Sequence, residues 1–97
     1  MTKLWKNSKD EVAIELVVDE TGIVLKVNEE EKAKHGKEIE ELQTLNMYPP
    51  KDEEKIKGTA DEGGLTVYQM VPGKNWDFAQ KDILATCEFW MGKMAVL

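Results

Sequence analysis

The last 22 residues of the chain, 76–97, hold four of its seven aromatic side chains, so much of any core or contact surface must come from them. They contain two of the three Trp, both Phe, the single Cys and two of the five Met. At about 100° per residue, a helix would bring one set of these side chains to a common side, namely Trp76, Ile83, Cys87, Trp90, Met91 and Met94. This pattern predicts a C-terminal helix over residues 76–95 that covers the rest of the fold.

The same helix would carry a second apolar side roughly opposite the first, made of Phe78, Ala85, Phe89 and Val96. A surface helix needs only one apolar side, so the second predicts a contact with another protein or with a second copy. Two alternatives stay open. Residues 46–64, or the N-terminal Leu4 and Trp5, could fold over this side. Residues 83–91 could instead form a strand, because Thr, Cys, Phe and Trp favour sheets.

A β-hairpin over residues 11–27 is the clearest local pattern in the chain. Apolar side chains recur at every second position on both sides of a turn sequence at residues 19–22, as expected for strands with one buried face. A four-residue loop would set Val18 opposite Ile23, and two further pairs would follow, Leu16 with Leu25 and Ile14 with Val27. These six side chains would form one apolar sheet face, which a one-residue slip would expose.

A polar helix is predicted over residues 29–45. Asn28 is a good N-cap, and three glutamates follow it where the positive end of the helix dipole favours acids. Gly36 lies in the middle of this helix and predicts a kink or a break. The apolar stripe of the helix is thin and consists of Ala33, Ile39, Leu42 and Leu45.

The remaining strand pattern lies at residues 65–71, which are rich in β-branched and aromatic side chains. Residues 54–60 precede a tight turn but are polar, so they would form an edge strand if they pair at all. The predicted fold is therefore a single α+β domain over residues 1–97. Its small, mainly antiparallel sheet combines the hairpin with strand 65–71, and the aromatic helix packs across it.

The chain carries a net charge of −6, and residues 29–62 account for five of these negative charges. Every basic residue is Lys, so the side chain best suited to bidentate phosphate or guanine contacts is absent. These features argue against direct binding to nucleic acid or to a membrane surface. They predict an acidic surface that steers the choice of partner, made of Glu29, Glu30, Glu31, Asp52, Glu53 and Glu54.

The sequence offers no catalytic motif. Its single cysteine, Cys87, falls on the main apolar side of the C-terminal helix, and its single histidine, His35, is expected to be solvated beside Lys34 and Lys37. Neither residue has a local partner for nucleophilic or zinc chemistry. We therefore expect a protein that is not an enzyme and uses no cofactor or metal. The lack of a signal-peptide-like or membrane-spanning apolar run predicts a cytoplasmic protein.

The leading functional hypothesis is a small binding protein that docks on another protein, or on itself as a homo-oligomer, through the second side of the C-terminal helix. It would act as an inhibitor or accessory factor, for which a phage or another mobile element is one source. A second hypothesis is a ligand-binding sensor or sequestering protein, with a pocket lined by Tyr68, Trp76, Trp90, Met91 and Met94. A third is an acidic mimic of nucleic acid.

Residues 14–57 resemble the first half of a PAS sensor domain. The resemblance is carried by the turn at residues 18–23, by Asn28, by Gly36, and by the segment from Leu45 to Glu53. These are turn and cap positions that any strand–turn–strand–helix unit would share. A PAS sheet would need three later strands, whereas this sequence predicts one convincing strand before the C-terminal helix. The resemblance therefore does not extend to the second half of the chain.

Overall fold

A computed structural model describes residues 1–46, 59–60, 63–73 and 76–92 of the chain. The strands in this part form one antiparallel sheet with the spatial order β1-β2-β3-β5-β4. Together with two helices, the sheet confirms the predicted α+β fold. The elements follow one another along the chain as β1 (Thr2–Lys6), β2 (Val12–Asp19), β3 (Gly22–Val27), α1 (Glu29–Asn46), β4 (Thr59–Ala60), β5 (Thr66–Met70) and α2 (Trp76–Met91).

The central pairing of β2 with β3 has the predicted register. The three apolar pairs lie opposite one another as expected, Ile14 with Val27, Leu16 with Leu25 and Val18 with Ile23. Five of these six side chains are at most 1% exposed, and Val18 packs against them at partial exposure. This register therefore creates the sheet face on which the core is built.

The turn between β2 and β3 is tighter than predicted. Asp19 pairs with Gly22, so only two residues form the loop instead of four. The Asp19 carboxylate accepts hydrogen bonds from the Thr21 hydroxyl at 2.6 Å and from the Thr21 backbone N–H at 2.8 Å. Because these bonds favour the ionised carboxylate, they lower the pKa of Asp19.

Strand β1 was not predicted, because Lys3 and Lys6 disguise the alternation of its side chains. It extends the sheet beside β2, where the backbone groups of Met1 and Val18 exchange hydrogen bonds of 2.8 Å. Trp5 lies opposite Ile14 and is 1% exposed. The alternative in which the N-terminal residues fold over the second side of the aromatic helix is therefore wrong, because Trp5 belongs to the core of the sheet.

Helix α1 begins as predicted and runs to Asn46 without a break. The Asn28 side-chain oxygen accepts a hydrogen bond of 2.8 Å from the Glu31 backbone N–H, which is the expected N-cap. Gly36 does not interrupt the helix, and it allows α1 to approach the sheet closely. A Cβ atom at this position would lie 3.0 Å from the hydroxyl oxygen of Tyr68 on β5.

The apolar stripe predicted for α1 is only partly correct. Ile39 is buried and Leu42 packs against the core, whereas Ala33 is exposed. The Leu45 side chain lies outside the described part. Gln43 is fully buried and donates a hydrogen bond of 2.6 Å to the backbone oxygen of Gln69. The hydrogen bond from the Gln43 side chain thus helps to hold α1 against β5.

Helix α2 packs on the same face of the sheet as α1, because residues of both helices join one core cluster with the inward side chains of the strands. It spans Trp76–Met91, so the strand alternative for residues 83–91 is wrong. The described helix also ends before the predicted residue 95. Gly92 has a φ of 62°, and its N–H donates to the Glu88 oxygen at 2.9 Å, as in a helix C-cap.

The second predicted hairpin is described in part. Its strand β5 covers residues 66–70 of the predicted 65–71, and β4 contains only Thr59–Ala60, at the edge of the sheet. Residues 54–58 of the predicted edge strand lie outside the described residues. Among the described residues, β4 pairs with Thr66 and Val67 of β5, and the hydrogen bond from Gln43 falls further along β5, on Gln69.

Two glycine substitutions should separate backbone strain from steric overlap. Gly22 and Gly64 both have positive φ, at 146° and 83°. An added Cβ at Gly22 would overlap the backbone oxygen of Met70, whereas nothing lies within 4 Å of one at Gly64. Gly64→Ala should lower the free energy of unfolding by about 1 kcal/mol, and Gly22→Ala by at least about 2 kcal/mol, in urea titrations followed by circular dichroism. Equal losses would contradict the tight contact between β3 and β5.

Candidate protein-contact surface on the second helix

Helix α2 has two apolar sides in the described residues. Its inner side contains Ala79, Ile83 and Cys87, which are 1–2% exposed. Trp76, Leu84, Trp90 and Met91 flank this side and pack against the core at partial exposure.

The opposite side points to solvent, and we call Phe78, Ala85 and Phe89 the outer face of α2. The Phe78 and Phe89 side chains are 70% and 84% exposed, and Ala85 is exposed as well. Val96, the fourth residue predicted on this side, lies outside the described residues. Fully burying a Phe side chain is worth about 1.5–3 kcal/mol, so the outer face leaves a substantial hydrophobic free energy unused.

Charged residues border the outer face. Lys81 is exposed, and the Glu88 side chain is 46% exposed. Glu88 also forms an ion pair of 3.3 Å with Lys3 of β1, so it ties α2 to the sheet edge while it remains accessible. An apolar centre with a charged rim is the usual composition of a protein–protein contact surface.

The structure describes four of the five residues predicted to line a ligand pocket, and all four are packed against other parts of the chain. Tyr68 is fully buried, and α1 covers its hydroxyl at Gly36. The Trp90 indole stacks on the imidazole of His35, with ring centroids 3.8 Å apart and planes 9° apart. Trp76 packs against the core. These three residues therefore join the helices to the sheet.

Met91 also packs against the core, and it lines a surface cleft of about 390 Å³. Met94 lies outside the described residues. The other residues around the cleft come from the end of β1, the β1–β2 loop and the start of α1, and all are charged or polar: Lys6, Asn7, Ser8, Lys9, Glu30, Glu31 and Lys34. This cleft is not the aromatic pocket that the sequence predicted.

His35 is not solvated as expected. Its side chain is 20% exposed and lies between two glutamates, with Nε2 at 3.7 Å from Glu31 and Nδ1 at 3.9 Å from Glu38. The stack on Trp90 holds it in the seam between α1 and α2. The i,i+4 spacing of Glu31 and His35 could have suggested their contact. The stack on Trp90 joins residues far apart in the chain, and no local pattern predicts it.

The predicted acidic surface is also only partly correct. Glu29 and Glu30 are exposed, and Glu30 pairs with Lys34 at 3.3 Å. Glu31 is 9% exposed and faces His35, so it does not belong to the accessible acidic surface. Asp52, Glu53 and Glu54 lie outside the described residues.

The chemistry of Cys87 is that of a core residue. It is 1% exposed, and burial raises the pKa of its thiol to about 12. The nucleophilic thiolate is therefore scarce at neutral pH. Within residues 1–46, 59–60, 63–73 and 76–92, no three His, Cys, Asp or Glu side chains are grouped so that they could hold a metal ion.

Comparisons with known proteins add no functional assignment: no family model, no curated protein and no solved structure matches the chain. Neither described helix has the length and apolar character needed to cross a bilayer. The functional argument therefore depends on the geometry of the described residues.

The buried thiol gives the first prediction for this region. At pH 8, Cys87 should react with iodoacetamide at least a hundredfold more slowly in the native chain than in urea, because burial limits access and keeps the thiol protonated. Mass spectrometry of timed samples measures both rates. Rapid labelling of the native chain would show that α2 is not packed as described.

The contact between Tyr68 and Gly36 gives the second prediction. The buried Tyr68 hydroxyl has no hydrogen-bond partner among the described residues, so Tyr68→Phe should leave the free energy of unfolding unchanged or raise it. Gly36→Ala alone should gain little, because its Cβ would crowd this hydroxyl. In the Tyr68→Phe background it should add about 1 kcal/mol through helix propensity. Equal effects of Gly36→Ala in both backgrounds would rule out the crowding.

Proposed function

We propose that the chain is a small, non-enzymatic binding protein that acts by protein–protein contact, with the outer face of α2 as its contact surface. The observation that carries this proposal is the exposure of Phe78 and Phe89 on one side of a helix whose other side already completes the core. Two large apolar side chains at 70% and 84% exposure favour burial against a partner.

The surroundings of the outer face support this proposal. Lys81 and Glu88 provide a charged rim, and the ion pair between Glu88 and Lys3 fixes the position of the helix on the sheet. A rigid contact surface loses little conformational entropy on binding. The exposed carboxylates of Glu29 and Glu30 on α1 give the chain an acidic surface that steers partner choice.

The chemistry of the potentially reactive side chains supports a non-enzymatic role. Cys87 is buried with a raised pKa, and His35 is held in a stack with Trp90. A catalytic pair would need a nucleophile and a base within reach of a substrate. The role that follows is that of a cytoplasmic inhibitor or accessory factor, for which a phage or another mobile element is a fitting source given the small, acidic, arginine-free composition.

Phe89→Asp should abolish the contact and keep the fold, because the Phe89 side chain is exposed and surface substitutions usually change stability by less than about 0.5 kcal/mol. Native mass spectrometry of tagged protein, purified from cells of its source, should show the wild-type chain in an assembly with another protein or a second copy. The Phe89→Asp chain should be found alone.

Val71→Asp is the matched control, because Val71 is an apolar residue outside α2 that is 39% exposed. This variant should keep the wild-type assembly. A wild-type chain that is always found alone would contradict the proposal. So would an assembly that survives Phe89→Asp, or one that Val71→Asp disrupts equally.

A further inference from the structure

We propose that the partner on the outer face of α2 is a second copy of the chain. The α2 helix of this copy packs antiparallel against the first, about a twofold axis that crosses the outer face at the level of residue 84. This inference rests on the proposed function of that face and names its partner. It is carried by the order of apolar and charged side chains along the helix, which is self-complementary when one copy is reversed.

The two phenylalanines define the first part of this match. Phe78 and Phe89 are separated by three turns, or about 16 Å along the helix axis, and their midpoint lies between residues 83 and 84. In an antiparallel pair centred there, each Phe78 lies against Phe89 of the second copy. Both aromatic side chains of each copy are then covered by one contact.

The charges define the second part. Lys81 and Glu88 are seven residues apart, so they lie two turns apart on the same flank of the outer face. Their midpoint lies between residues 84 and 85, within one residue of the midpoint of the phenylalanines. An antiparallel pair brings the same flank of both helices together in reversed order, so it places each Lys81 near Glu88 of the second copy. This charge complementarity supports the antiparallel arrangement.

The residue at the centre of the outer face permits a close approach. Ala85 lies next to the twofold axis, and a small side chain there lets two helix axes approach to about 8 Å. Among the described residues of α2, the opposite flank of the outer face carries one charged residue, Asp82. In the pair, Asp82 would lie near Asp82 of the second copy, because it is only two residues from the axis. Repulsion between these two carboxylates weakens the pair.

The area of the contact also indicates a weak dimer. Two Phe side chains bury about 300–500 Å² per copy when fully covered. A standard stable interface buries about 800 Å² per partner. The pair should therefore be reversible, and its population should depend on protein concentration.

Charge reversal on the purified full-length chain tests the pairing. Sedimentation equilibrium over a concentration series should show a monomer–dimer equilibrium for the wild type. Lys81→Glu alone and Glu88→Lys alone should each raise the dimer dissociation constant about tenfold, because like charges then meet at two symmetric positions. The double variant should restore dimerisation, and Asp82→Asn should strengthen it.

Lys3→Ala is the matched control for Glu88→Lys, because Glu88 also forms an ion pair with Lys3 of its own copy. It removes the ion pair between Lys3 and Glu88 without changing the outer face, so it should leave the dimer dissociation constant unchanged. A loss of dimerisation in Lys3→Ala equal to that in Glu88→Lys would overturn the proposed contact between Glu88 and the second copy. Failure of the double variant to recover would do the same.

Disulfide trapping tests the direction of the helices. Lys81→Cys and Glu88→Cys are mixed and mildly oxidised, and the native Cys87 stays out of the reaction because it is buried. The antiparallel pair predicts mainly the mixed disulfide between the two variants. Mainly like-with-like disulfides would overturn the proposal.

The sedimentation experiment and the assembly purified from source cells together distinguish a failure of self-pairing from a failure of the proposed function. A wild-type chain that sediments as a monomer at every concentration would overturn self-pairing. The proposed function would still stand if Phe89→Asp removed a different protein from the assembly purified from source cells. A dimer that is insensitive to Phe89→Asp and to all charge reversals would overturn both.

Discussion

The pairing of β2 with β3 is the constraint on which the rest of the structure depends. Its register places Ile14, Leu16, Val18 and their partners on one sheet face, and both helices pack on that face. A shift by one residue would turn the apolar set to solvent and leave both helices without a surface to cover. The two-residue turn at Glu20 and Thr21 fixes this register locally, because it sets Asp19 opposite Gly22.

The sequence was informative where a structure is determined locally. The alternation in β2 and β3 gave the correct register, and Asn28 gave the correct start of α1, because both depend on residues within a few positions of one another. Strand β1 was missed since its stability comes from its neighbour. Trp5 is buried beside Ile14 of β2, and the two lysines among the five residues of β1 obscure the alternation in the sequence.

The seam between the sheet and α1 shows a second limit of prediction. The sequence predicted a polar helix with a thin apolar stripe, and α1 approaches β5 closely enough that Gly36 meets the Tyr68 hydroxyl and Gln43 reaches the Gln69 oxygen. Both contacts join residues more than 25 positions apart. The stack of His35 on Trp90 also joins distant residues. Trp90 was predicted to line a pocket, and in the structure it forms part of the contact between the two helices. Composition indicates that such residues are available, but only the tertiary structure pairs them.

The distribution of charge explains why the outer face of α2 suits an interface in an otherwise acidic chain. Residues 29–62 carry most of the net charge, whereas residues 63–97 contain three Lys and three acids. Two copies with a charge of −6 each repel one another at long range, but salt screens this repulsion beyond about 8–10 Å. Repulsion at contact depends on the local charges, and there Lys81 and Glu88 alternate in sign about the centre of the face. The proposed contact through Phe78 and Phe89 therefore lies in the neutral third of the chain, outside the segment that carries most of the negative charge.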